Sequence, residues 1–245
     1  MKMVNGMYYK KIGLILISFI LIFFCSCSAT DETQKYLEEK YNDTFIELGH
    51  KNFSTYKQYW FESNTYPELY ITVEKDESNY FDDYNMRLIE YNFSKELTNI
   101  VNNYIDNCYI YTVSSRHGIL DSNTEYKDIV DLTSDNTEYE PIGVFSTIFI
   151  EESNYTDESI YKIAQEIRNK YSNIRGTYRF EVIKDNSIKG IKNNIKKYMT
   201  LNSSDYYDDV IKESINISFS PTLKLPSWYV YDDYSFPTEL EFWEK

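Results

Sequence analysis

The spacing of apolar residues divides this chain into an apolar start, a periodic central part and a less regular end. Four stretches place apolar side chains every three or four positions, which is the spacing of an amphipathic helix. The predicted helices are 31–42, 83–105, 157–171 and 187–199. Shorter runs, rich in β-branched and aromatic residues or alternating in polarity, predict strands. The predicted strands are 44–48, 56–62, 69–74, 108–113, 144–150, 177–183 and 215–219.

The order of these elements predicts an α+β fold. The first helix precedes three short strands, which favours a helix packed on antiparallel strands. Residues 144–183 then follow the order strand, helix and strand, with Thr156 or Asp157 as the helix cap. If these two strands are parallel neighbours, the connection between them is right-handed. After Leu201 the pattern loosens and three prolines interrupt it, so we expect an irregular C-terminal tail.

The length of the chain suits one large domain or two smaller ones. A signal segment, 1–26, precedes an N-terminal α+β unit, 27–124. A C-terminal α/β unit with an aromatic tail, 125–245, completes the predicted organisation. The second and third segments can also belong to one domain.

The first 28 residues have the layout of an export signal. Lys2, Lys10 and Lys11 precede an apolar run at 12–24, and the chain then turns polar. As a helix these 13 residues would extend roughly 20 Å, short of the roughly 30 Å hydrocarbon core of a membrane. We therefore expect a cleaved signal, with an uncleaved anchor as the alternative.

The end of this segment, Phe24-Cys25-Ser26-Cys27-Ser28, resembles a bacterial lipoprotein signal. In that family a Cys after a small residue is lipidated and becomes the new N-terminus. Cys27 fits this pattern better than Cys25, because Ser26 precedes Cys27 and the bulky Phe24 precedes Cys25. The resemblance implies a lipid membrane partner through acylated Cys27 and a location on the outer face of the cell membrane. A plain secretory signal is the alternative.

Two further stretches resemble clostridial lipoproteins of unknown function. Lys35-Tyr36-Leu37-Glu38-Glu39-Lys40-Tyr41 is similar to an opening that recurs in those proteins. The strand–helix–strand unit at 144–183 is similar in pattern to their distal part. The resemblance covers about a third of the chain, implies a surface lipoprotein with an α+β fold, and brings no catalytic residues with it.

The composition argues against a nucleic-acid partner. The chain carries a formal net charge of −14, and removal of the signal would take three lysines with it. Such a chain repels both nucleic acid and anionic lipid headgroups. The 26 tyrosines, with abundant Asn, Lys and Ile, are typical of a low-GC genome such as that of a Gram-positive bacterium. They are also compatible with an aromatic surface for sugars or peptides.

Few residues have the spacing that catalysis or metal binding requires. Cys108 follows the apolar pattern of a buried side chain, and the two histidines, His50 and His117, stand in no nucleophile or metal motif. We therefore predict no catalytic residues, no metal site and no cofactor. Three acidic pairs lie beside aromatic residues, where helix caps, turns and solvated faces explain them. They are Asp82-Asp83, Asp208-Asp209 and Asp232-Asp233.

The densest aromatic cluster lies near the C-terminus and gives the candidate ligand site. Its residues are Trp228, Tyr229, Tyr231 and Tyr234. A glycan or peptide could stack on these rings, or the tail could pack onto the domain instead. The sequence thus favours a membrane-anchored, non-enzymatic module that binds an envelope protein, a peptide or a glycan. The alternatives are an envelope hydrolase that uses a carboxylate pair and a structural lipoprotein without a ligand.

Overall fold

The computed structural model describes residues 32–77, 79–114, 127–134, 143–201, 210–219 and 227–231. For 132–134, 198–201, 217–219 and 227–231 the description covers the backbone alone. The predicted signal, Cys27, the loop that contains His117, and Tyr234 lie outside these residues. Among the helices in the described ranges, none combines the length and the apolarity that crossing a membrane requires.

The N-terminal part forms a helix on a four-stranded antiparallel sheet, as predicted. Strands adjacent in sequence pair with each other, in the order β1-β2-β3-β4. The elements are α1 (Glu32–Tyr41), β1 (Phe45–Asn52), β2 (Lys57–Ser63), β3 (Tyr70–Lys75) and β4 (Tyr80–Asp82). Strand β4 was not predicted, because a three-residue strand is too short to show an alternation.

A long helix, α2 (Tyr84–Val101), joins the two halves of the molecule. One apolar side of α2 packs on the first sheet through Tyr84, Leu88 and Tyr91. Another side, which includes Phe93 and Leu97, packs on the second sheet. The helix is continuous, and it ends at Val101 rather than at the predicted 105.

The second sheet has five strands, in the order β5-β6-β7-β8-β9. Strands β6 and β7 are parallel, as the strand–helix–strand pattern allowed, and the other pairs are antiparallel. Thr156 caps α4, since its Oγ1 accepts the N–H of Ser159 at 3.1 Å. The elements are β5 (Cys108–Ser114), α3 (Ile129–Ser134), β6 (Val144–Glu151), α4 (Asp157–Lys170), β7 (Gly176–Ile183), α5 (Ile188–Leu201), β8 (Ile211–Phe219) and β9 (Ser227–Tyr231).

These elements confirm the α+β class. The predicted boundary between the two units, at residue 124, falls within the second sheet. Strand β5 precedes this residue, and the other four strands of the sheet follow it. The C-terminal tail was predicted to be irregular. It contains one strand, β9, which pairs with β8.

The buried apolar side chains connect both sheets. The largest cluster lies between α2, α4 and one face of the second sheet, with Ile163 and Ile167 fully buried. A second cluster lies between α1, α2 and the first sheet. The third lies beside α5 and brings Tyr70 of the first sheet against Tyr109 of the second. The two sheets therefore share contacts through α2 and α5.

The buried carboxylate of Asp82 links helix α1 to the first sheet through hydrogen bonds. Asp82 accepts hydrogen bonds from the hydroxyls of Tyr36 at 2.7 Å and Tyr41 at 2.6 Å, and from Lys40 Nζ at 2.9 Å. Burial, with the hydrogen bond to Asp82, raises the pKa of the Tyr41 hydroxyl. Asp82 and Asp83 are both buried, so the prediction of a solvated position is wrong for this pair, whereas Asp83 does occupy a helix cap, the N-cap of α2, without a side-chain capping hydrogen bond. The other two acidic pairs lie outside the described part of the chain.

Candidate functional site

A cleft lies where α2, α5 and the start of β3 meet strand β5. Its volume is about 140 Å³, similar to the roughly 150 Å³ cavity that holds one benzene molecule. Four separate segments of the chain line it. They are 68–70, 108–112, the α2 side chains of Arg87, Glu90, Tyr91, Ser94, Lys95 and Thr98, and Lys192 of α5.

Helix α2 presents one polar stripe to the cleft, between its two apolar sides. The stripe follows from helical periodicity, because residues three or four apart share a face. Ser94 Oγ donates to the carbonyl of Glu90 at 3.0 Å, and Thr98 Oγ1 donates to the carbonyl of Ser94 at 2.8 Å. Each hydroxyl thus uses its hydrogen within the helix and keeps lone pairs that can accept a hydrogen bond from a ligand.

Strand β5 forms one edge of the second sheet, and within the described residues no strand pairs with its outer side. The N–H of Ser114 donates to Glu90 Oε1 of α2 at 2.6 Å, so it points away from β6. Successive residues of a strand point their backbone groups to alternate sides, and the β5–β6 register is regular. The backbone groups of Cys108, Ile110 and Thr112 therefore also point outward, toward the cleft.

A buried ion network forms one end of the cleft. Arg87 Nε lies 2.9 Å from Asp83 Oδ2, and Arg87 Nη1 lies 2.8 Å from Glu90 Oε2. The Arg87 side chain is 21% exposed, whereas those of Asp83 and Glu90 are 4% and 3% exposed. Asp83 Oδ1 accepts the N–H of Thr72 at 2.7 Å. Because Glu90 also bonds to Ser114, the network ties β3, α2 and β5 together.

The electrostatics of this network depend on Arg87. Burial raises the pKa of the Asp83 carboxyl, and the neighbouring guanidinium of Arg87 opposes that increase. A buried carboxylate without such a partner is strongly destabilising. We infer that Arg87 serves to compensate the two carboxylates, and that it fixes the shape of the cleft at this end.

The walls of the cleft combine aromatic rings with ammonium groups. Lys95 Nζ lies 4.9 Å from the centre of the Tyr91 ring and is exposed at the mouth. Lys192 Nζ lies 5.0 Å from the centre of the Tyr109 ring and 2.9 Å from Glu68 Oε1. Such walls can stack against a flat or apolar group and can donate hydrogen bonds to an acidic one.

Cys108 lines the cleft and is half-buried rather than fully buried as predicted. Its Sγ lies 3.5 Å from Asn102 Oδ1. Burial raises the pKa of this thiol from 9.0 to about 11, so the thiol is protonated at neutral pH. A protonated thiol is a poor nucleophile, which argues against a catalytic use of Cys108.

We expect Cys108 to react slowly with iodoacetamide. Because the thiolate is the reacting form, a pKa raised from 9.0 to about 11 lowers the rate at pH 8 by about 100-fold relative to an exposed cysteine. The rate should rise about tenfold per pH unit up to the pKa. Mass spectrometry of the alkylated protein measures it, with Cys108→Ser as the background control. Alkylation at the rate of an exposed cysteine would contradict this assignment.

The structure places the predicted aromatic site away from the cleft. Trp228, Tyr229 and Tyr231 lie on β9, at the edge of the sheet opposite to β5. Four strand spacings separate these edges, which is about 19 Å. Their role in ligand binding stays a prediction, as does that of Tyr234.

His50 does not line the cleft. His50 is exposed on β1, where its Nδ1 lies 2.9 Å from Glu47 Oε1. His117 belongs to the segment that the structure does not describe. Within the described ranges, no three side chains of His, Cys, Asp or Glu form a group that could hold a metal ion.

Comparisons with known proteins support the fold. No protein-family model matches the sequence, and neither does any curated protein. Among solved structures, the chain is similar to a DUF5037 family protein from Ruminococcus gnavus ATCC 29149, a clostridial-type bacterium. The TM-score is 0.59 at 15% identity, and the match covers 81% of this chain and 90% of that chain. At this identity the likeness shows the fold, in keeping with a bacterial protein of unknown function.

Proposed function

We propose that this protein is an extracytoplasmic lipoprotein, anchored by acyl chains on Cys27, that binds a ligand in the cleft beside β5 without converting it. The observation that carries the proposal is the cleft itself, where aromatic rings, ammonium groups and outward-facing backbone groups meet in one concave site. Concave sites with a few convergent polar groups are typical of ligand-binding proteins. The segment at 24–28 supports the anchor through its resemblance to a lipoprotein signal.

The carboxylates of the cleft favour binding over hydrolysis. Glu90 is engaged by Arg87 and by the N–H of Ser114, and Glu68 is paired with Lys192. A carboxyl that acts as a general acid or base needs an oxygen that can reach the substrate, and these two carboxylates direct oxygens at partners within the protein. Both carboxylates are therefore better suited to orienting a bound ligand than to transferring a proton to it.

Ligand binding is tested by screening amino acids, dipeptides, cell-wall muropeptides and monosaccharides against the protein. A ligand that fills the cleft should raise the melting temperature and should slow the alkylation of Cys108. Ser94→Arg places a long side chain in the cleft and should abolish both effects. Asn99→Arg is the matched control, because it puts the same side chain on the same helix at an exposed position that does not line the cleft. This variant should retain both the rise in melting temperature and the slower alkylation.

The outcome of this screen separates the alternatives. Turnover of a substrate that disappears when one cleft carboxylate is replaced by its amide would favour the hydrolase. Binding that survives Ser94→Arg but is lost in Trp228→Ala would move the site to the predicted aromatic cluster.

The membrane anchor gives a separate prediction. Cys27→Ala should abolish labelling with radioactive palmitate and should move the protein from the membrane fraction to the soluble fraction. The physical reason is that two or more acyl chains hold a protein stably at a bilayer, at about 0.8 kcal/mol per buried CH₂. Cys25→Ala is the matched control and should still be labelled. Labelling that persists in Cys27→Ala and is lost in Cys25→Ala would place the modified residue two positions earlier.

A further inference from the structure

We infer that the turn between β1 and β2, residues 53–56, contacts the surface of the lipid bilayer to which Cys27 anchors the protein. This inference rests on the proposed acyl anchor and adds a second contact with the same membrane. An anchor at one point leaves a domain free to rotate, whereas a second contact fixes its orientation. The turn would therefore decide which end of the protein faces the membrane.

The first argument is that the anchor and the turn lie at the same end of the first sheet. Glu32, the first residue of α1, pairs with Lys75 at the end of β3, with 2.7 Å between Oε2 and Nζ. Lys75 lies opposite Lys57, the first residue of β2. Lys57 lies opposite Asn52, the last residue of β1. The turn at 53–56 therefore projects past the level at which α1 begins.

The second argument is that the distance from the anchor to the turn is short. Glu32 comes five residues after Cys27, and five residues span at most about 18 Å. Strands β1 and β3 are two strand spacings apart, which is about 10 Å. The seven residues of β2 place the opposite end of the sheet about 20 Å farther away. An anchor at Cys27 therefore favours an orientation in which the turn is nearer the bilayer.

The third argument is the pair of aromatic rings that the turn carries. The N–H of Phe53 donates to the carbonyl of Tyr56 at 2.9 Å, which closes the turn. The two rings are stacked with their centres 4.6 Å apart. Phe53 is 37% exposed, although it is a large apolar side chain. An apolar ring beside a tyrosine hydroxyl suits the boundary between acyl chains and headgroups, where one side is apolar and the other is wet.

The fourth argument is the charge of the turn. The segment 51–57 contains two lysines and no acidic residue, in a chain with 39 acidic residues. Lys51 Nζ lies 5.0 Å from the centre of the Phe53 ring, so the ring and the ammonium group can enter the headgroup layer together. Asp76 and Glu77, in the next turn at this end, oppose the positive charge. The ring therefore supplies most of the affinity, and the lysines keep the turn from being repelled as the rest of the acidic chain is.

The experiment measures the depth of nitroxide labels in the acylated protein, purified from bacterial membranes and placed in vesicles of phosphatidylcholine and phosphatidylglycerol. The label is attached at Thr55→Cys in the turn, or at Asn64→Cys at the opposite end of the sheet, and both positions are exposed. Cys108→Ser removes the other cysteine that follows Cys27. Oxygen concentrates in the bilayer, and a nickel chelate stays in water. Oxygen should relax the label at 55 more strongly, and the chelate should relax the label at 64 more strongly.

The contribution of the ring is tested in the Thr55→Cys protein. Phe53→Glu replaces the ring by a charge and should reverse the preference of the label from oxygen to the nickel chelate, while the protein still floats with the vesicles. Phe145→Glu is the matched control, because Phe145 is 48% exposed on β6 of the second sheet. This variant should keep the preference for oxygen. The comparison of positions 55 and 64 stays decisive even if Phe53→Glu does not fold.

Each outcome separates this inference from the anchor itself. If the protein floats with the vesicles but the chelate relaxes both labels more strongly, the contact is wrong and the anchor stands. A preference for oxygen at both positions would contradict the orientation. If Phe53→Glu keeps the preference for oxygen, the ring is not the contact and the inference is wrong. If the protein does not float, the anchor and the contact are both wrong, and binding in the cleft is unaffected.

Discussion

Arg87→Met is expected to lower the free energy of unfolding by about 3–5 kcal/mol. The substitution removes the cation that lies within 3 Å of both Asp83 and Glu90, and it leaves two buried carboxylates uncompensated. Urea denaturation at pH 7, followed by circular dichroism, measures the loss. The triple variant Asp83→Asn, Arg87→Met, Glu90→Gln removes all three charges and should recover most of the stability, because the amides keep oxygen acceptors for Thr72 and Ser114.

The Arg87→Met variant should also depend on pH in a defined direction. Burial raises the pKa of Asp83 in the folded protein, so above the unfolded pKa near 4 the folded state binds more protons than the unfolded state. The stability of the variant should therefore fall as the pH rises above about 4. The triple variant should not show this fall. A loss below about 1 kcal/mol without pH dependence would mean that water reaches the carboxylates.

Truncation of α4 should have a comparable effect. Ile163→Ala and Ile167→Ala should each cost about 2–5 kcal/mol, since both side chains are fully buried in the largest core cluster and no neighbour can fill the space completely. Denaturant unfolding of the two variants checks this. Asn169→Ala, on the exposed side of the same helix, is the control and should change stability by less than about 0.5 kcal/mol. Equal small changes at all three positions would contradict the packing of α4.

The regular part of the fold could be predicted from the sequence because its periodicity is strong. In α4 the apolar residues recur every three or four positions, and in β7 they alternate, so each element was located to within one residue. The end of α2 was harder. The helix ends at Val101, and the predicted last turn consists of hydrogen-bonded turns instead. The carbonyl of Val101 accepts hydrogen bonds from the N–H groups of both Tyr104 and Ile105. A pattern of apolar residues does not distinguish such turns from a helix.

The polar interior could not be predicted in the same way. The burial of Asp82 depends on Tyr36, Lys40 and Tyr41, which lie more than forty residues earlier, and a single sequence does not show that pairing. The cleft combines four segments that only the tertiary fold brings together. One local signal was present: Arg87 stands four residues after Asp83 and three before Glu90, a spacing that places all three on one face of a helix.

The strand order of the two sheets predicts that they form at different rates. In the first sheet every strand pairs with its neighbour in sequence through a short connection, so little chain entropy is lost on closure. In the second sheet residues 115–143 separate β5 from β6, and β6 joins β7 through a helical crossover. Such non-local pairing is slow. Pulsed hydrogen exchange during refolding should therefore protect β1–β3 before β5. The edge that lines the cleft would be completed late, so a ligand of this site can stabilise the finished protein but cannot guide its early folding.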